Sequence, residues 1–180
     1  MLYRLLDQYF NNDELKDLAD QVDLDWENLS GEIRLRKASE LAKKVDRNNR
    51  NRDLLVALDQ SGRSLDLSPY LYLVILDFYG EKDKMIALLT LFGIEPRNFG
   101  GREKFAWGSK PWLKQKAEAL QKKLEEDERI GELLAAIQAE SQARFQEDVD
   151  FTFYTLDLGI YENEVDPAEL EEADVYNNFD

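Results

Sequence analysis

The chain resembles itself. Offset by 70 positions, Leu6-Asp7-Gln8-Tyr9 falls on Leu76-Asp77-Phe78-Tyr79. Without a gap, Asp13 then meets Asp83, Leu15 meets Met85, Leu18 meets Leu88, Val22 meets Phe92, Leu24 meets Ile94, Asn28 meets Asn98 and Gly31 meets Gly101. The offset next becomes 79. Lys37-Ala38 matches Lys116-Ala117, Leu41 matches Leu120, Lys43-Lys44 matches Lys122-Lys123, and Leu54-Leu55 matches Leu133-Leu134. Apolar, turn and charged positions agree together, which leucines alone would not produce. The sequence therefore reads as two copies of one unit, residues 1–66 and 68–144, the second with an extra loop. A tail, residues 145–180, follows.

Each unit reads as a small helical bundle. Leu2, Leu5, Leu6 and Tyr9 recur at helical spacing, and Leu15, Leu18, Ala19 and Val22 line one face of a second helix with Asn12 as its cap. Asp25 to Leu29 can form a single helical turn, ended by Ser30-Gly31. Residues 32 to 46 offer a wide stripe: Ile33, Leu35, Ala38, Leu41, Ala42 and Val45. Asn48 to Asn51 break the chain before Leu54, Leu55 and Leu58. In the second unit Ser68-Pro69 is a helix start. Tyr70 to Phe78 is apolar nearly all round, the mark of a helix buried on two sides, here between the copies. Residues 112 to 144 form one or two long helices. Units this small gain from packing against each other. The expected class is all-α.

Charge is distributed unevenly. Of the net −15, residues 138–180 carry −12, with thirteen acids against Arg144 alone. Residues 1–31 balance to −6 and residues 32–52 to +5. The first unit is thus electrically bipolar, a pattern that lets one module meet a like module with salt-sensitive steering.

Composition removes most chemistry. The chain has no Cys and no His, so thiolate or imidazole nucleophiles, bases and metal ligands are absent. No calcium-loop spacing and no Walker-type glycine loop occurs among its carboxylates and glycines, and nothing supports a glycosidase pair. A non-enzyme without cofactor or metal is expected. The longest apolar run, Tyr70 to Leu76, is too short for a bilayer, and Asp7 interrupts any secretory leader. A cytoplasmic protein without membrane contact is expected. Phosphates would be repelled by the acidic total, so nucleic acid is not an expected partner.

The run Tyr9-Phe10-Asn11-Asn12-Asp13-Glu14-Leu15, then Leu18, then Val22 to Gly31, then Lys37-Ala38-Ser39-Glu40-Leu41, resembles the effector-associated, death-like domains of bacterial conflict systems. The resemblance implies tandem death-fold-like helical bundles. It also implies association of like domains carried by different polypeptides, including caspase-like or trypsin-like proteases, NACHT or STAND NTPases and TIR proteins. It covers about the first 60 residues. The second unit departs from it, with Gly80 for Phe10, Pro96 for Trp26, and an addition from Phe105 to Trp112.

Two faces follow as candidates for a protein partner: Glu14, Asp17, Asp25 and Glu27 on the acidic side, and Arg34, Arg36, Lys43, Lys44 and Arg47 on the basic side. The same faces could pair two copies of this chain. Trp107 and Trp112 in the added loop either anchor a partner or cap the second core; the large area aromatic rings bury favours the core. Residues 149–161 are rich in strand formers, and either meet a partner's sheet edge, pack on their own domain, or fold on binding. The acidic block beyond them could cover the basic helix. The expected function is a non-enzymatic adaptor in prokaryotic defence or regulated cell death. The alternative is an inhibitor whose acidic tail covers a basic site on an enzyme, a sigma-like factor or a nucleic-acid-binding protein, or else a substrate of an associated protease.

Overall fold

Apolar spacing sets the inward faces of the helices, and a side-chain cap fixes the start of some of them. The computed structural model describes residues 2–97, 99–101 and 105–154. Helix α1 (Leu2–Tyr9) buries Leu2 and Leu6. Helix α2 (Asn12–Gln21) buries Leu15, Leu18 and Ala19. Its cap is Asn11, one residue earlier than expected. Asn11 has the extended backbone that turns its side chain towards the open N–H groups. Its carbonyl accepts from the Asp13 and Glu14 N–H at 2.9 and 3.0 Å, and Glu14 accepts from the Asn11 N–H at 2.8 Å. That reciprocal pair is a capping box.

A 3-10 turn, Trp26–Asn28, follows, capped by Asp25. Helix α3 (Arg34–Arg47) buries Ala38, Leu41 and Val45 and packs along α1. The expected stripe is narrower. Ile33 is 58% exposed because it precedes the helix on extended backbone, and Leu35, 44% exposed, sits at the edge of the buried arc. Helix α4 (Asn51–Gln60) buries Leu54, Leu55, Ala57 and Leu58.

In the second half, Ser68–Tyr70 is a 3-10 turn leading into α5 (Leu71–Tyr79). Helices α6 (Lys82–Leu91), α7 (Lys110–Glu126) and α8 (Ile130–Phe145) complete it. All regular structure among the described residues is helical. Residues 112–144 are two helices, divided where Glu128 takes a left-handed φ of 56°.

Local geometry recurs at the two sequence offsets. Helices α2 and α6 begin and end 70 positions apart. At that offset Asp23 (φ 51°) faces Gly93 (φ 70°), and Gly31 (φ 104°) faces Gly101 (φ 99°). The Leu24 N–H donates to Ala19 O at 2.8 Å, and the Ile94 N–H to Leu89 O at 2.9 Å. At offset 79, Asn49 (φ 53°) matches Glu128. There the Arg50 N–H donates to Val45 O, as the Arg129 N–H does to Leu124 O. The expected match of Asn28 with Asn98 lies outside the described residues.

Helix α5 is apolar on nearly every side because it is covered on nearly every side. It packs against α4 of the first half and against α6, α7 and α8 of the second. In α1, at the equivalent positions of buried Val74 and Phe78, stand exposed Arg4 and Gln8. The joint also has a polar centre. Asp77 accepts from the Asn51 amide at 2.7 Å and from the Arg52 N–H at 3.0 Å, closing the start of α4. Burial pushes the Asp77 carboxyl up to about 7, against the pull of those two hydrogen bonds. Gly80 ends α5 where any Cβ would stand 2.4 Å from Leu76 O, so the position of Phe10 has no room for its counterpart.

The chain does not leave the body at residue 145. Glu147 pairs with Arg52 at 2.9 Å, and the Val149 N–H donates to Gln138 Oε1 at 2.9 Å. Asp148 accepts from the Gln138 and Gln142 amides. Val149, Phe153 and Tyr154 are buried. Of the alternatives for residues 149–161, the described part packs on its own domain, without a strand. Residues 155–180, with the acidic block, lie outside the described residues.

Candidate protein-interaction surface

The acidic and basic faces are neighbours, not opposite poles. From α3, the Lys37 ammonium donates to Trp26 O at 3.0 Å and Leu29 O at 2.7 Å, and Lys44 donates to Asn28 O at 2.6 Å. Lys37 also sits 4.7 Å over the Trp26 ring. These bonds bring the basic helix against the turn that carries Asp25 and Glu27.

Much of the expected charge is already used within the chain. Asp25 caps the turn, accepting from the Glu27 N–H at 2.9 Å and the Asn28 amide at 2.7 Å. Glu14 closes the capping box and pairs with Arg63. Arg34 pairs with Asp7 at 2.9 Å, and Lys43 with Glu40 at 2.8 Å. The Lys43 hydrogen bond holds Glu40 below the usual carboxylate range. Lys44 is a brace for the turn. Four candidates remain exposed with no ion pair among the described residues: Asp17, Glu27, Arg36 and Arg47. Arg36 has its stem over Gly31, where a Cβ would stand 2.5 Å from its own Cβ.

The two tryptophans separate. Trp112 is fully buried in the first turn of α7 and cannot touch a partner directly, because its area is spent in the core. Trp107 stacks on it at 5.3 Å and is 38% exposed. Lys82 lies 5.6 Å over the Trp107 ring. Trp107 therefore offers a held aromatic surface, supported from below.

Sequence reasoning passed over the two lysines that brace the turns. Lys116 donates to Phe99 O at 2.6 Å from a fully buried position. Its signal was the recurrence of Lys-Ala at the offset of 79, since a charge kept in register with a buried stripe has a fixed partner. The Arg50 and Arg52 contacts were equally hidden. Arg50 reaches Asp23, Asp53 and Val22 O, and its pairing with Asp53 raises its basicity further.

Among the described residues no group of three or more carboxylates is placed to hold a metal, and no helix is long and apolar enough to cross a membrane. The described residues form an all-helical bundle with charge-bearing faces. Residues 2–62 match the family model described as effector-associated domain 7. The matched residues span the first bundle, α1 to α4. No curated protein and no solved structure matches the chain.

Proposed function

We propose that this protein is a non-enzymatic adaptor whose first bundle binds a cognate effector-associated domain on another polypeptide. That polypeptide would be a protease, NTPase or TIR effector of prokaryotic defence or regulated cell death. The observation that carries the reading is the set Asp17, Glu27, Arg36 and Arg47, exposed and without internal ion pairs on the matched domain. Unpaired charge of both signs suits like-with-like recognition, where each acid meets a base of its partner. The recurring turns and lysine braces support a second, divergent bundle of the same ancestry. Two linked modules raise the effective concentration for a second contact, so modest single contacts suffice.

The test titrates the labelled full-length chain with the effector-associated domains of proteins encoded beside it, at low and physiological salt. The expected result is binding that weakens with salt and is lost when Asp17→Lys and Glu27→Lys are combined. Binding to none of these domains, or binding indifferent to all four surface charges, overturns the reading.

A further inference from the structure

Where the two halves meet, α1, α3, α5 and the start of α7 leave an open groove of about 450 Å³, within the roughly 300–1,000 Å³ typical of concave ligand sites. Tyr3, Leu73, Leu76 and Leu113 supply apolar lining, and Lys110 and Lys114 stand at one side. Both lysines are loosely engaged. Lys110 lies 3.6 Å from Asp46, and Lys114 lies 3.6 Å from Glu118 and 5.3 Å from the Tyr72 ring. Surface pairs of this kind exchange readily for another carboxylate. By contrast, Arg34, Lys37, Lys43 and Lys44 on the basic helix are held at 2.6 to 3.0 Å. Among the described residues, Arg36 and Arg47 of that helix carry free charge but no apolar groove beside it, whereas here both lie together, which suits a segment of mixed acidic and apolar residues.

Such a segment begins within reach. The Tyr154 hydroxyl donates to Glu125 Oε1 at 2.8 Å, fixing the chain against the far end of α7. Glu125 and Lys114 are eleven residues apart on one helix, about 16 Å at 1.5 Å per residue. Extended chain covers that in about five residues at roughly 3.3 Å each. The residues after Tyr154 carry apolar Leu156, Leu158, Ile160 and Tyr161 beside Asp157, Glu162 and Glu164. We propose that residues 158–164 dock into this groove of their own chain, with leucine, isoleucine and tyrosine side chains against the apolar lining. Glu162 and Glu164 then meet Lys110 and Lys114. The inference does not depend on the proposed adaptor role.

Because the chain has no cysteine, one introduced thiol can carry a nitroxide at a single place. In full-length protein, a nitroxide on Ile160→Cys should abolish the amide signals of Leu73 and Leu76. Combining Lys110→Glu with Lys114→Glu should restore them without loss of helicity. A second label on Asn163→Cys repeats the test without touching an apolar contact. Undiminished groove signals with both labels overturn the proposal. Loss of equal strength when unenriched nitroxide-bearing chains are mixed with isotope-labelled chains lacking the nitroxide places a second copy's tail in the groove, and overturns it too.

Discussion

Lys37 and Lys116 perform one task at two places in the chain. Each donates its ammonium to the carbonyl that closes the turn before its helix: Leu29 O at 2.7 Å for Lys37, and Phe99 O at 2.6 Å for Lys116. Leu29 and Phe99 are themselves equivalent at the offset of 70, and the lysines at 79. A long side chain with three donors bridges a loop end that the backbone alone leaves open.

Replacing Lys116 with Met keeps the stem and removes the donors. The carbonyl of half-buried Phe99 then loses this partner, at a cost of about 1 kcal/mol. Chemical denaturation of the full chain should show that loss. Lys37→Met should cost less, because Lys37 is only half-buried.

Asp77 sets an unusual pH dependence at the joint. Its carboxyl is raised from 3.8 to about 7 in the folded chain, so the folded state holds this proton more tightly than the unfolded state. The stabilisation is full below about pH 4 and is lost as pH rises towards 7. The melting temperature of the native chain, minus that of Asp77→Asn, should therefore fall across this window and level off above it. A difference that rises across the window would contradict the assignment.

Glu128 holds a left-handed backbone, φ 56°, that glycine adopts without penalty. Its side chain is exposed. Glu128→Gly should leave stability unchanged or raise it by up to about 1 kcal/mol. Gly101→Ala, at φ 99°, should lower it by a similar amount or more. Paired thermal melts of the two variants check both signs.

Lys44 and Arg47 lie one turn apart on α3 but differ in role. Lys44→Glu removes the bond to Asn28 O and should lower stability by about 1 kcal/mol, whatever it does to binding. Arg47→Glu breaks no hydrogen bond among the described residues and should cost less, only the attraction to Glu40 and to the helix end. A partner-binding defect in Arg47→Glu is therefore a surface effect, whereas the same defect in Lys44→Glu is not diagnostic. Circular dichroism melts alongside the titration separate the two.

The order of helices was legible because apolar spacing and turn residues recur together. Leu15, Leu18 and Val22 point inward in α2 as Met85, Leu88 and Phe92 do around α6. The all-round apolar character of α5 also announced its two-sided burial. Less legible was anything set by one atom's reach. Asn11 and Asn12 are chemically identical caps, and only the backbone angle chooses between them, although Glu14 three residues after Asn11 was a usable sign. Ile33 and Leu35 fit the helical period, yet a period does not reveal where the neighbouring helix stops. The basic helix read as a solvated or binding face because nothing in a charge run tells which cation finds a carbonyl. Lys44 did, and Arg47 did not.

Helix α5 has a final implication. The family match stops at residue 62, but severing the chain there would not release two ready-made proteins. The upstream piece would lose the carboxylate that closes α4, and the downstream piece would turn the Phe78 ring, now 5.7 Å beneath the Arg52 guanidinium, towards water. The stretch that matches the family and the stretch held by shared contacts are different lengths of this polypeptide.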